Sequence, residues 1–181
     1  MTDTHLLDDV DTGTPIGSCL AAWHRLFQGD REALTRVLAD DVVLHSPVLF
    51  APIHGKETVS LYLTGAALTF VEAAEGSAAS ADGVASAASA ASAGGAGGAG
   101  GNAGSDEEWD GGFRYVRILT GDRDAVLEFE TTMAGKYVNG VDMITCDDDG
   151  MIVDFKVMVR PQKAVEAVRA MMAAALDQLR S

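Results

Sequence analysis

The segment Lys136-Tyr-Val-Asn-Gly-Val-Asp-Met-Ile-Thr-Cys146 predicts a β-strand that carries the most informative residue of the chain. Side chains on a strand alternate between two faces, so one face of this strand holds Val138, Gly140, Asp142, Ile144 and Cys146. That face is small and apolar apart from one carboxyl, and a carboxylate is costly to bury unless it is paired, hydrogen-bonded or protonated. Two interpretations of Asp142 follow: the sheet lines a pocket that the acid serves, or a partner satisfies the acid structurally.

Three more strands are predicted around this segment. They cover Phe113–Leu119, Ala125–Met133 and Met151–Val159. Short turns at Gly121-Asp122, Ala134-Gly135 and Asp147–Gly150 separate the four strands, and turns of this length join antiparallel neighbours. Residues 113–159 therefore predict a four-stranded antiparallel meander.

Four helices are predicted from apolar residues that recur at helical spacing. They run from Thr14 to Gly29, over 31–38, from Gly55 to about Phe70, and from Pro161 onward. Thr14 and Asp30 are residue types that cap helices, and Pro15 suits a first turn. Between the second and third helices, Asp40-Asp41 predicts a turn and residues 42–46 predict a short strand.

Two stretches are expected to lack a fixed structure. The first is a disordered tail over residues 1–13. The second covers residues 76–105, where 27 of the 30 residues are Ala, Gly or Ser. Such a composition has too little apolar bulk to offset the entropy of ordering. Neither side of this insertion looks complete alone, so residues 14–181 are predicted to form one domain that the insertion interrupts.

The net charge of −14 argues against nucleic-acid binding, which needs clustered Lys and Arg. The N-terminus shows no signal peptide, and the longest apolar helical piece, 61–71, is too short to span a bilayer. Cys19 and Cys146 form neither a CxxC pair nor a Cys/His metal spacing. We therefore expect a cytoplasmic protein with reduced thiols, no membrane association, no metal and no cofactor.

Five short motifs follow one another in a distinctive order. They are Phe27-Gln-Gly-Asp30, Leu38-Ala-Asp-Asp-Val-Val-Leu-His-Ser-Pro47, His54-Gly-Lys-Glu57, Asn139-Gly-Val-Asp-Met-Ile144 and Asp149-Gly-Met-Ile-Val-Asp-Phe155. Together they resemble the nuclear-transport-factor-2-like, or SnoaL-like, superfamily. The resemblance implies an α+β fold, in which a curved antiparallel sheet is wrapped by N-terminal helices into a cone and followed by a C-terminal helix. It also implies a hydrophobic pocket for a small apolar molecule, and a homodimer formed through the sheet.

Enzymes of this superfamily place their functional groups at a few positions of the fold. Ketosteroid isomerases use a base in an Asp-Pro pair, which here is Ser46-Pro47, and a first-helix tyrosine, which falls at about Ala22. Their protonated oxyanion-hole acid matches Asp142. Limonene-epoxide-hydrolase-like members use an Arg where Gly140 stands, an acid that matches Asp142, and a second acid near Val157. SnoaL-like polyketide cyclases rely mainly on one acid in an apolar pocket, a role that Asp142 matches.

His45 is a second candidate for chemistry, because an imidazole that reached the pocket would form an acid–base pair with Asp142. The alternative is that His45 hydrogen-bonds to a neighbouring strand. Candidates for the pocket wall are Trp23, Ser46, Phe50, Tyr62 and Tyr115. The alternative for these aromatic side chains is the core.

The sequence thus predicts a small-molecule-binding protein, and a cyclase- or isomerase-like enzyme if Asp142 is catalytic. The alternative is a non-catalytic homodimeric module for ligand binding or interaction. The two differ in whether Asp142 faces an accessible cavity with a second polar group within hydrogen-bond reach.

Overall fold

A computed structural model describes residues 5–8, 10–78 and 109–180. After a 3₁₀ turn at His5–Leu7, the helices are α1 (Pro15–Phe27), α2 (Arg31–Val37), α3 (Lys56–Ala78) and α4 (Gln162–Arg180). The strands are β1 (Leu38–His45), β2 (Ile53–His54), β3 (Arg114–Thr120), β4 (Asp124–Met133), β5 (Lys136–Cys146) and β6 (Ile152–Arg160).

The six strands form one curved sheet in the order β2-β1-β6-β5-β4-β3. Strands β3 to β6 pair antiparallel with their neighbours in the chain, so the predicted four-stranded meander is confirmed. Strand β1 joins the free edge of β6 in parallel. The sheet is therefore mixed, whereas the sequence had predicted an antiparallel one. A parallel neighbour needs a long crossover, and the chain between β1 and β6 supplies it.

Two predicted caps define the ends of helices that cover the sheet. The Thr14 hydroxyl accepts a hydrogen bond from the Gly17 amide at 3.1 Å, and Pro15 occupies the first turn of α1. The Asp30 carboxylate accepts from the Ala33 amide at 3.1 Å and begins α2. These side chains satisfy amides that a helix start leaves without intrahelical partners.

The core lies between the concave face of the sheet and helices α1, α3 and α4. The predicted alternation of β5 is confirmed, because Val138, Gly140, Asp142, Ile144 and Cys146 are all buried. Gly140 lies opposite Phe129 on β4, and a Cβ at this position would overlap the Phe129 ring. Because Gly140 has no side chain, the Phe129 ring can lie over this position, next to Asp142.

Three details differ from the sequence prediction. Asp40 and Asp41 lie inside β1 rather than in a turn. These exposed residues fall where the pairing of β1 with β6 shifts register, between Leu38 and Val43. Leu7 is buried against the core, although residues 1–13 were expected to be disordered. Helix α3 continues to Ala78, eight residues beyond the predicted end, because alanine sustains a helix well. The rest of the predicted insertion, from residue 79, lies outside the described residues.

Within the described part of the chain, no helix is both long enough and apolar enough to cross a membrane.

Candidate functional site

A cavity of about 60 Å³ lies inside the cone, between the concave face of the sheet and helices α1, α3 and α4. Its wall is almost entirely apolar. Trp23 on α1, Tyr62 on α3 and Met172 on α4 form the helical side, and Val157 on β6 belongs to the sheet side. Asp142 on β5 also lines this cavity, and it is the only carboxyl among the lining residues that the structure describes.

Asp142 is held on the concave face by its position in the middle of the meander. It pairs with Leu127 on β4 and Val157 on β6, so a strand shields it on either side. The residue is only 6% exposed. Removal from water raises the pKa of the Asp142 carboxyl from 3.8 to about 7, and a hydrogen bond from Tyr115 partly opposes this rise. The acid is therefore poised between its neutral and ionised forms near neutral pH.

A short hydrogen-bonded chain connects helix α1 to this acid. The indole Nε1 of Trp23 donates to the Tyr115 hydroxyl at 2.7 Å, and that hydroxyl donates to Oδ2 of Asp142 at 3.1 Å. Tyr115 is the only hydrogen-bond partner of the Asp142 carboxyl among the described residues. Both links are buried, so bulk water does not compete for these groups.

Tyr115 remains a neutral donor in this chain. Burial raises its pKa well above 10, and the neighbouring Asp142 carboxylate raises it further. Phe27 and Phe113 meet the tyrosine ring edge-on, at centroid distances of 6.2 and 5.1 Å. These contacts fix the ring, and with it the direction in which the hydroxyl reaches Asp142.

The structure does not bring His45 and Asp142 together. His45 lies on the convex side of β1, where its Nε2 is 3.1 Å from Oδ2 of Asp154 on the neighbouring strand β6. The reason is alternation: Leu44 points into the core and Ser46 lines the cavity, so the residue between them faces away. The hydrogen bond to a neighbouring strand is thus the arrangement that forms, and the predicted pair of His45 with Asp142 does not.

The five residues predicted for the pocket wall separate into three groups. Trp23, Ser46 and Tyr62 line the cavity. Tyr115 lies behind Asp142 and reaches the cavity through that acid rather than directly. Phe50 is fully exposed and lies outside the cavity, which corrects its prediction as a wall residue. It belongs to the loop after β1, where no strand alternation determines the direction of a side chain.

The sequence reasoning missed the connection between Trp23, Tyr115 and Asp142. A signal for it lies in the two hairpins of the meander. The short turns set Tyr115 opposite Phe129 and Phe129 opposite Gly140, which places the tyrosine and the acid on the same face and close in register. The contribution of Trp23 follows only from how α1 packs across the sheet, which the hairpin register does not determine.

Within the described residues, no group of three or more His, Cys, Asp and Glu side chains is arranged to hold a metal ion. Both cysteines are buried as free thiols.

Comparison with known proteins agrees with this architecture. No protein-family model matches the chain, and no curated protein matches it. Among solved structures, the chain is similar to a steroid delta-isomerase from Pseudomonas aeruginosa, with 29% identity over 91% of this chain and 93% of that one, and a TM-score of 0.65. It is also similar to an uncharacterised protein with a cystatin-like fold from Silicibacter pomeroyi, with 25% identity over 86% and 83% of the two chains, and a TM-score of 0.59.

An NTF2-like protein of unknown function from Mesorhizobium loti shares 16% identity over 88% of this chain and 99% of that one, with a TM-score of 0.53. That likeness concerns the fold alone. The chain has the α+β cone of NTF2-like and SnoaL-like proteins, as the sequence motifs predicted.

Proposed function

We propose that this protein binds a small apolar molecule in the cone and exchanges a proton with it through Asp142, as a cyclase- or isomerase-like enzyme. One observation carries the proposal: a buried carboxyl lines a cavity that is almost entirely apolar, with the Tyr115 hydroxyl 3.1 Å from its Oδ2. Catalytic acids and bases need a pKa near the working pH, and burial is the usual way to raise that of a carboxyl.

The pKa of about 7 makes both forms of Asp142 available at neutral pH. The neutral acid can donate a hydrogen bond to a carbonyl oxygen of the ligand. The ionised acid can take a proton from a carbon next to a carbonyl, which leaves an enolate and a neutral Asp142. Return of that proton to the same or another carbon completes an exchange or an isomerisation, with no net change in the protein.

Ser46 limits how closely the chemistry follows that of a ketosteroid isomerase. Ser46 lines the cavity at the position that the resemblance assigns to the carboxylate base, and a serine cannot replace that base. Asp142 must therefore serve as both donor and acceptor. The cavity volume of about 60 Å³ is also small beside the roughly 300–1,000 Å³ of typical ligand sites. These features favour a compact substrate over a four-ring one, even though the chain resembles a steroid delta-isomerase.

A ligand-binding module without catalysis is the second candidate. It is favoured by the absence of another carboxyl and of any histidine among the described residues that line the cavity. In that case Asp142 would only orient a polar group of the ligand.

Homodimerisation through the convex face of the sheet is part of the proposal. Val141, Met143 and Met158 lie together on this face, and Met158 is 56% exposed. Apolar side chains that adjoin on a sheet surface are typical of an interface between protein chains. Lys156 and the His45–Asp154 pair border this patch and would give such an interface a polar rim.

Proton exchange on a small ketone tests the catalytic proposal. Cyclopentanone in heavy water loses its α-protons to deuterium, and proton NMR follows the loss. We expect the wild-type protein to accelerate this exchange and Asp142→Asn to abolish the acceleration. Ser46→Ala is the matched control, because it alters another polar cavity residue but leaves the acid in place.

An unaccelerated exchange in the presence of wild-type protein would contradict the catalytic proposal. If chemical-shift changes at cavity residues still report binding of the ketone, the non-catalytic ligand-binding module remains as the candidate function. If neither exchange nor binding is observed over a panel of compact carbonyl compounds, both candidates fail.

A further inference from the structure

Trp23, Tyr115 and Asp142 are linked by buried hydrogen bonds. Of the three side chains, only Trp23 cannot change from a donor to an acceptor. An indole N–H is a donor only, whereas a tyrosine hydroxyl both donates and accepts, and a neutral carboxyl carries one O–H beside acceptor oxygens. Because Trp23 donates to Tyr115 at 2.7 Å, the hydroxyl oxygen accepts there and its single hydrogen is left for Asp142, 3.1 Å away.

Oδ2 of Asp142 consequently accepts a hydrogen bond, whatever the protonation state of the acid. When the acid is neutral, its proton therefore belongs on Oδ1. Asp142 lines the cavity and Tyr115 does not, so the oxygen that is not engaged by Tyr115 is the one available to a ligand.

We infer that Trp23 is a positioning residue that fixes the direction of the Trp23–Tyr115–Asp142 chain, so that the neutral acid presents a donor to the cavity and selects ligands with a hydrogen-bond acceptor. The ligand class is then ketones, aldehydes, esters and ethers rather than molecules whose polar group only donates. The statement about the ligand rests on the proposed function, but the direction of the chain does not.

The surroundings of the indole support this role. Phe27 meets the Trp23 ring edge-on at a centroid distance of 5.4 Å, and Phe155 packs against it at 5.0 Å with a tilt of 53°. The indole is buried as well. A ring that is held on two sides keeps its N–H aimed at Tyr115, so the direction of the chain is built into the core rather than chosen by the ligand.

A first experiment tests the direction of the Trp23–Tyr115–Asp142 hydrogen bonds without any ligand. Carbon NMR gives the pKa of Asp142 in the wild-type protein, in Trp23→Phe and in the control Trp109→Phe. Removal of the indole frees the Tyr115 oxygen to accept a hydrogen bond from neutral Asp142, which stabilises the neutral acid. The pKa of Asp142 should then rise by about 0.5 to 1 pH unit, the effect of one hydrogen bond. Trp109→Phe removes an indole N–H that donates to the Gly112 carbonyl outside the cavity, so the pKa of Asp142 should stay unchanged.

A second experiment compares two five-membered rings of similar size. Cyclopentanone offers only an acceptor, and pyrrole offers an N–H donor. At pH 5, where Asp142 is neutral, the wild-type protein should bind cyclopentanone about tenfold more tightly than pyrrole, the scale of one hydrogen bond to a buried group. Trp23→Phe should bring the ratio close to one, and Trp109→Phe should preserve it. Chemical shifts of the backbone amides report both affinities.

The outcomes separate this inference from the proposed function. An unchanged pKa of Asp142 in a folded Trp23→Phe protein would overturn the inference, even if the cavity binds ketones. A raised pKa without binding of either ring would uphold the direction of the chain and overturn the ligand class. If Trp23→Phe fails to fold, Trp23→Tyr takes its place, since it also removes the indole N–H and its hydroxyl can accept as well as donate, so it should raise the pKa and weaken the preference.

Discussion

Replacement of Asp142 by asparagine should make the protein more stable, by an amount that grows with pH. The carboxyl has a pKa of 3.8 in the unfolded chain and about 7 in the folded one. One pKa unit corresponds to about 1.4 kcal/mol, so ionisation of the buried acid costs about 4 kcal/mol of folding free energy at high pH. Little solvent screening reduces this value, because the residue is only 6% exposed.

The sign follows from proton binding. Between pH 3.8 and about 7 the folded state holds a proton on Asp142 that the unfolded state has lost, so the stability of the wild-type protein falls as pH rises through this range. Asparagine resembles the neutral acid and can accept the hydrogen bond from Tyr115, so it avoids this loss. The stability difference between variant and wild type should therefore increase by about 3 kcal/mol from pH 4.5 to pH 8 and then level off.

Urea unfolding followed by circular dichroism, repeated at pH values from 4.5 to 9, measures this difference. A constant offset between carboxamide and carboxyl does not affect the slope, so the pH dependence alone is the test. Asp149→Asn removes the same charge from the exposed hairpin turn and controls for the change in net charge. The stability difference could instead stay constant with pH, or the asparagine variant could become less stable than the wild type as pH rises. Either result would refute the view that burial dominates the pKa of Asp142.

Three further changes probe the packing, the hydrogen bonds and the assembly. Tyr115→Phe should destabilise the fold by about 1–3 kcal/mol in urea unfolding, because the buried Trp23 N–H loses its acceptor. Gly140→Ala should cost about 1–3 kcal/mol in the same assay, since its methyl group must displace the Phe129 ring; retention of wild-type stability would mean that the ring moves freely. Met158→Glu should convert a dimer to a monomer in sedimentation at tens of micromolar, and a wild-type protein that sediments as a monomer there would contradict the proposed interface.

Much of the fold follows from local patterns in the sequence. The short turns and alternating residues of the meander determine both the strand neighbours and the face on which Asp142 lies. The caps at Thr14 and Asp30 fix the helix starts to the residue. These features are predictable because each depends on residues that are close in the chain.

The features that sequence reasoning missed depend on contacts between distant elements. The parallel pairing of β1 with β6 arises only after the long crossover brings the two strands together. The direction of the Phe50 side chain depends on a loop. The role of Trp23 depends on how helix α1 packs across the sheet, because its partner Tyr115 is 92 residues away in the chain. Alternation alone predicts that His45 faces away from the cavity, because its neighbour Ser46 faces into it.

Gly140 connects the packing of the sheet to the chemistry that the site can support. The resemblance to limonene-epoxide-hydrolase-like members implies an arginine at position 140, but any Cβ at Gly140 would overlap the Phe129 ring. That ring stacks on Phe113 at 5.4 Å, and Phe113 in turn meets Tyr115 edge-on. An arginine at position 140 would therefore disturb the aromatic layer that directs Tyr115 toward Asp142. With no cation beside it in the described part of the chain, the acid keeps the high pKa that burial gives it. The same glycine that allows the rings to pack thus favours a neutral acid that donates, and it disfavours a paired carboxylate.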